Sequence, residues 1–188
     1  MRNGTPCLFY SILLLSFFIG INGCIFNLSK SSFVVREEKV DGANKVVDVS
    51  RLKEGGKLAI IPFRAGAGVP ATSDSEKASL MFVKGVSEVL LANNASLSIV
   101  AVTEADSADL LIKGHITSFK QPKGLRQRYF GGGQYALTMA GKMIDQKTNQ
   151  DVFYFSQHLN SKDKEIDIKE LGYQIGKKIG EFILGHIK

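Results

Sequence analysis

Lys57 to Phe63, KLAIIPF, is a short unbroken apolar run closed by proline, the pattern of a strand buried in the middle of a sheet. The glycine- and proline-punctuated RAGAGVPATSD follows and reads as a loop. Ser73 and Glu76 then stand at capping-box spacing, and Leu80, Val83, Val86 and Leu90 recur at helical intervals up to Asn93-Asn94, a stop signal. Ser96 to Val102 predicts a second strand, and Asp109 to Phe119 a third that contains Gly114. Gln134 to Asp145 and Asp151 to Leu159 predict two long antiparallel strands, with Thr148 and Asn149 at the tip of the turn between them. Upstream, Lys45 to Leu52 carries a β-like apolar patch placed to join the same sheet.

The last helix has the plainest pattern. Asp167 and Glu170 repeat the capping spacing, and Ile168, Leu171, Ile175, Ile179 and Phe182 form one apolar stripe. Beside the stripe, Gly172, Gly176 and Gly180 recur every fourth residue. Each glycine costs a helix roughly 1 kcal/mol against alanine, so the ridge calls for close approach to a neighbouring element. Lys169, Lys177, Lys178 and Glu181 interrupt any membrane-spanning run, which favours packing inside the molecule over a small-residue contact between membrane helices. The expected fold class is α+β, an α/β sandwich: one mixed, largely antiparallel sheet of about five strands with two helices packed on one face.

The N-terminus has a different character. Arg2, an apolar core from about Leu8 to Ile21 and small boundary residues are the parts of a secretory signal, and the core falls short of the roughly 20 residues that span a bilayer. At the boundary, Ile21, Gly23 and Cys24 resemble the bacterial lipobox, with Asn22 an unusual middle residue. That motif implies cleavage between Gly23 and Cys24 and acylation of Cys24. Cys7 would leave with the leader, so the mature chain would keep one cysteine and no internal disulfide. A diacylglyceryl thioether occupies a thiol that export to an oxidising compartment would otherwise leave exposed, and several acyl chains anchor stably. The organisation expected is residues 1–23 as signal peptide, 24–55 as lipidated N-terminus and tether, and 56–188 as a single globular domain.

Charge adds little. The chain has 24 basic and 18 acidic residues, and loss of Arg2 leaves 23 minus 18, or +5. Lys120, Lys123, Arg126 and Arg128 form the densest basic cluster. Export argues against a nucleic-acid partner.

Catalytic patterns are lacking. His115, His158 and His186 fall in different elements without a H-E-x-x-H motif, and there is no G-x-S-x-G. Gly131, Gly132 and Gly133 invite a phosphate-loop reading, but neither the Walker pattern nor G-x-G-x-x-G surrounds them, and a strand follows where a helix would be needed. Arg126, Arg128, Tyr129 and Phe130 beside these glycines are of types enriched at protein interfaces, which makes residues 126 and 128–133 the candidate partner-binding segment. No metal, no catalytic residue and no cofactor beyond the Cys24 lipid is expected.

Ala108 to Phe153 resembles the bacterial lipoproteins grouped as domain of unknown function 4410. Gly114 and Ile116 match its G-x-I element, Arg126 and Arg128 precede the glycines 131–133, and Asp145 with Thr148-Asn149 stands for its strand-ending aspartate and T-G turn. Asn149 departs from that glycine but tolerates a left-handed conformation. The order of KLAIIPF, helix, SLSIVAV and ADLLIKGHI is also similar to the small α/β domain of the TolB N-terminus, of curli-secretion lipoproteins and of lipoprotein activators of peptidoglycan synthases.

These resemblances imply a lipid-anchored, non-enzymatic domain that docks onto an envelope protein in assembly, secretion or wall synthesis. An oligomeric secretion-channel subunit and a small-anion binder using the Gly131 to Gly133 loop remain as alternatives, and homo-oligomerisation is left open. Ile25, where aspartate would retain a Gram-negative lipoprotein in the inner membrane, implies an outer-membrane address facing the periplasm.

Overall fold

The computed structural model describes residues 44–122, 124, 134–161 and 166–187. Seven strands form one mixed sheet: β1 (Lys45–Val46), β2 (Gly56–Ile60), β3 (Arg64–Ala65), β4 (Leu97–Val100), β5 (Leu110–Lys120), β6 (Tyr135–Asp145) and β7 (Asp151–Ser161). Among the described residues three helices accompany them, α1 (Val49–Glu54), α2 (Ser73–Ala92) and α3 (Ile168–Ile187), with a 3₁₀ turn at Val102–Ser107. The spatial order is β1-β7-β6-β5-β2-β4, and β3 lies alongside β5. β2 runs parallel to both β4 and β5, and β5, β6 and β7 form an antiparallel meander. KLAIIPF is thus the central strand its continuous apolarity predicts, flanked on both sides and followed by the helical crossover α2.

Seven strands replace the five expected, because β1 and β3 are two residues each and too short to leave a periodic signal. β3 falls within the segment read as loop. The patch Lys45 to Leu52 enters the sheet only at Lys45–Val46. From Val49 it turns into a helix capped by Asp48, whose side chain accepts from the Arg51 N–H at 3.0 Å.

The cap of α2 also differs from expectation. Thr72, not Ser73, is the N-cap: its hydroxyl accepts from the Ser75 N–H at 3.2 Å, and the Ser75 hydroxyl accepts from the Thr72 N–H at 2.9 Å. The buried stripe is Ala78, Phe82, Val86, Val89 and Leu90, which keeps Val86 and Leu90 of the expected one, while Leu80 is 57% exposed. Asp167 caps α3 as predicted, accepting from the N–H groups of Lys169 and Glu170 at 2.9 and 3.0 Å.

The core lies between α2, α3 and one face of the sheet. Phe63, Phe82 and Phe155 meet at its centre, with ring centroids 4.6 to 5.9 Å apart. The glycine ridge of α3 faces α2. A Cβ at Gly172 would lie 2.9 Å from the Ala78 carbonyl carbon, and one at Gly176 would lie 3.0 Å from that of Phe82, with the carbonyl oxygens nearer still. Gly85 answers from α2, where a Cβ would lie 2.9 Å from the Lys177 nitrogen. The ridge therefore serves packing within the molecule. No described helix is long and apolar enough to cross a membrane.

A buried ion pair ties α1 to the β6–β7 hairpin. Asp145 Oδ2 accepts from Arg51 Nε, and its Oδ1 accepts from the N–H groups of Lys147 and Thr148 at 2.8 and 2.9 Å. Burial pushes the Asp145 carboxyl up, but Arg51 and the two N–H groups outweigh it and hold the group at about 2. Asn149 takes a left-handed backbone with φ of 55° at the hairpin tip, as its place in the turn predicts.

Candidate functional site

Successive residues of a strand point to opposite faces, so the strands that bury Ile112, Met139, Met143, Phe153 and Phe155 against the helices must present their alternate residues on the other side. Register decides what stands together there. Lys45 pairs with Tyr154, Tyr154 with Lys142, and Lys142 with Lys113, so these four side chains form one row across β1, β7, β6 and β5. In the adjacent row Arg64 pairs with His115, His115 with Ala140, and Ala140 with Ser156. Lys45, Arg64, Lys113, His115 and Tyr154 are all exposed.

The two rows surround a shallow cavity of about 520 Å³, lined by Lys113, His115, Ala140, Lys142 and Tyr154 and floored by Gly114, Gly141 and Phe155. Gly114 and Gly141 sit directly opposite each other. A Cβ at Gly114 would lie 2.8 Å from the Phe63 ring, and one at Gly141 would lie 2.8 Å from that of Phe155. The paired glycines let the aromatic core lie flush against the backbone beneath the cavity.

Lys113 and Lys142 face each other across an antiparallel pair, an arrangement that destabilises a sheet by itself. One acid relieves it: Asp151 Oδ1 lies 2.7 Å from Lys142 Nζ, and Asp151 Oδ2 accepts from the Tyr154 hydroxyl. The ion pair holds the Lys142 ammonium above its ordinary value and, with the Tyr154 hydrogen bond, the Asp151 carboxyl below its own. The same hydrogen bond raises the Tyr154 phenol. The Lys142 ammonium lies 6.0 Å from the Tyr154 ring centroid, within cation–π range. The face thus carries three lysines, an arginine and a histidine against one carboxylate, which suits it to binding anions.

A second depression of about 510 Å³ lies between α2 and α3, lined by Glu88, Tyr173, Lys177 and Glu181 among others. The Tyr173 hydroxyl donates to Glu88 at 2.5 Å, and Lys84 and Lys177 flank its ring at 5.9 and 5.8 Å. Charges of both signs alternate here, so it offers no net preference.

Gly23, Cys24, Arg126, Arg128, Tyr129, Phe130, Gly131, Gly132 and Gly133 fall outside the described residues. Of the basic cluster only Lys120 is described, exposed at the end of β5. His115, His158 and His186 are on β5, β7 and α3. The His158 Nδ1 is hydrogen-bonded to the Thr138 hydroxyl at 2.8 Å, and His186 Nδ1 donates to the Phe182 carbonyl at 2.8 Å. Among the described residues no group of three or more His, Cys, Asp or Glu is placed to hold a metal ion. The cationic face escaped the sequence reading because its members are spread from position 45 to 154. The alternation of Lys113, His115 and Thr117 with buried neighbours was the one legible sign.

No family model matches the chain, and no curated protein matches its sequence. The resemblance to domain of unknown function 4410 therefore rests on the residues quoted for it. Solved structures do match. PelC from Paraburkholderia phytofirmans, solved as a dodecamer, superposes with a TM-score of 0.52 at 12% identity over 73% of this chain and 94% of that one. A point variant of the same PelC, also a dodecamer, gives 0.53 at 11% identity over 76% and 96%. Lipoprotein GNA1162 from Neisseria meningitidis gives 0.44 at 6% identity over 68% and 98%, too low a score to carry an argument. At these identities the likeness to PelC shows a shared fold.

Proposed function

We propose that this chain is a bacterial envelope lipoprotein, anchored through an acylated Cys24, whose folded domain is a non-enzymatic docking module for an envelope protein in assembly, secretion or wall synthesis. The observation that carries the docking reading is the half-open sheet. The helices cover one face, and β4 pairs only with β2 among the described residues, so the sheet ends there in an open strand edge. An open strand edge offers unpaired backbone groups to a partner strand, and Arg126, Arg128 and Tyr129 are of types that interfaces favour. The Ile21 to Cys24 boundary supports the anchor, and Ile25 supports an outer-membrane address facing the periplasm.

Crosslinking a C-terminally tagged chain in cells, followed by mass spectrometry, tests this with Cys24→Ala run beside it. A discrete envelope partner captured from the parent chain and lost in Cys24→Ala is the expected result. Turnover of an envelope substrate by the purified protein, abolished by a single polar substitution, would refute the non-enzymatic reading. A second reading, an oligomeric secretion subunit, is favoured by the dodecameric state of the PelC structures that share the fold. It predicts self-crosslinks only, and rings in negative-stain images of detergent extracts.

A further inference from the structure

We propose that the exposed patch of Lys45, Arg64, Lys113 and Tyr154, with half-buried Lys142, on the sheet face opposite the described helices lies on an anionic lipid surface, that of the membrane in which the protein is itself anchored. The inference rests on the lipid-anchored reading above and assigns this face to the bilayer, leaving the β4 edge and the segment 126–133 to a protein partner.

Three observations point to a lipid surface as occupant. The first is shape and charge together. Neighbouring strands are about 4.8 Å apart, so the row from Lys45 to Lys113 spans roughly 14 Å across four strands, and the next row runs about 7 Å away. Four cations so spread on long aliphatic stems form a broad array that meets many separate phosphates at once. A single small anion would need them converged.

The second is Tyr154, 41% exposed at the centre of the lysine row. An aromatic with a polar tip flanked by lysines is the composition that settles at a headgroup layer. Asp151 holds that ring by its hydroxyl and neutralises only Lys142.

The third is where the chain enters. Lys45 opens β1, the strand that carries the first cation of the row, and Cys24 stands 21 residues before it. A chain of 21 residues spans at most about 75 Å, so a lipid on Cys24 keeps this edge of the sheet within that reach of the bilayer. Near an anionic surface each uncompensated cation contributes about a fivefold preference, so the weak contacts of Lys45, Arg64 and Lys113 suffice once the tether has removed the cost of encounter.

The chain has no tryptophan, so Ser156→Trp, in the adjacent row, supplies a sole tryptophan reporter on the face and leaves Tyr154 in place. The lipidated protein carrying it is reconstituted into vesicles of phosphatidylcholine alone, or with added phosphatidylglycerol, each doped with a headgroup-level quencher. The expected result is quenching in the anionic vesicles that is reversed by about 0.5 M salt. Lys45→Gln/Lys113→Gln, which spares the Lys142–Asp151 pair, should lower the ratio of surface-bound to free face about 25-fold. Circular dichroism of the variant confirms that the fold persists.

Equal quenching in both vesicle types would overturn the proposal, as would none in either. Protection from a soluble quencher in neutral vesicles would overturn it in favour of a second protein copy on this face. A soluble acidic peptide that displaces the face at equal charge concentration would assign it to a protein partner. Mass spectrometry of the Cys24 peptide separates these outcomes from failure of the anchor itself.

Discussion

The contact between α2 and α3 depends on bare backbone, and Gly176→Ala tests it. The added Cβ would lie 3.0 Å from the carbonyl carbon and Cα of Phe82, where ordinary contact begins at 3.4 Å, so α3 must withdraw by at least 0.4 Å. Rotating a side chain cannot relieve the clash, because the opposing atoms are backbone. Phe82 is fully buried and in contact with Phe63 and Phe155, so the withdrawal loosens the centre of the core. A gap of about 0.5 to 1 Å forfeits a quarter to a half of the dispersion attraction of the atoms it separates, and overpacking of this kind costs about 1 to 3 kcal/mol. Alanine returns up to about 1 kcal/mol through helix propensity. The net loss expected is therefore about 1 to 2 kcal/mol, seen as a fall of roughly 2 to 8 °C in the midpoint of thermal unfolding. The assay is circular dichroism at 222 nm on the lipidated protein in mild detergent. Gly185→Ala is the control, since a Cβ there meets nothing within 4 Å, and it should leave the midpoint unchanged or raise it slightly. If Gly176→Ala stabilised the protein as much as Gly185→Ala, the close-approach account of the ridge would be wrong.

Thr72→Ala should lower the unfolding midpoint by about 2 to 4 °C, the cost of a lost N-cap, while Ser73→Ala should not, and the reverse order would return the cap to Ser73. Asp145, held at about 2 against an ordinary 3.8, contributes stability that is complete above pH 3.8 and is lost as pH falls towards 2. The contribution is about 2 kcal/mol, so the midpoint of the parent chain should converge on that of Asp145→Asn between about pH 4 and 2, and a constant gap across that window would rule the linkage out. Arg51→Met leaves the Asp145 carboxylate buried without its cation and should cost about 3 kcal/mol at pH 7, largely recovered in Arg51→Met/Asp145→Asn.

The elements with a long period were legible in the chain alone: α2, α3, the central strand β2 and the β5–β6–β7 meander, together with the Asp167 cap and the hairpin at Asn149. Periodicity over ten or more residues is a local property, and so are the composition of the leader and the place of Cys24 at its end. The glycine ridge could be read as a demand for close approach, and the fold then named Ala78 and Phe82 as what approaches. β1 and β3 are two residues long and exist because longer strands lie beside them. Val86 and Leu90 of the α2 stripe are buried as read, but Leu80 is exposed, because the packing of α2 on α3 and the sheet, which no local spacing states, fixes which face is covered. The cationic face depended on three-dimensional arrangement most of all. Lys45, Arg64, Lys113, Lys142 and Tyr154 are unremarkable singly in the chain, and cross-strand register, which the turns and bulges of distant segments fix, is what sets them side by side.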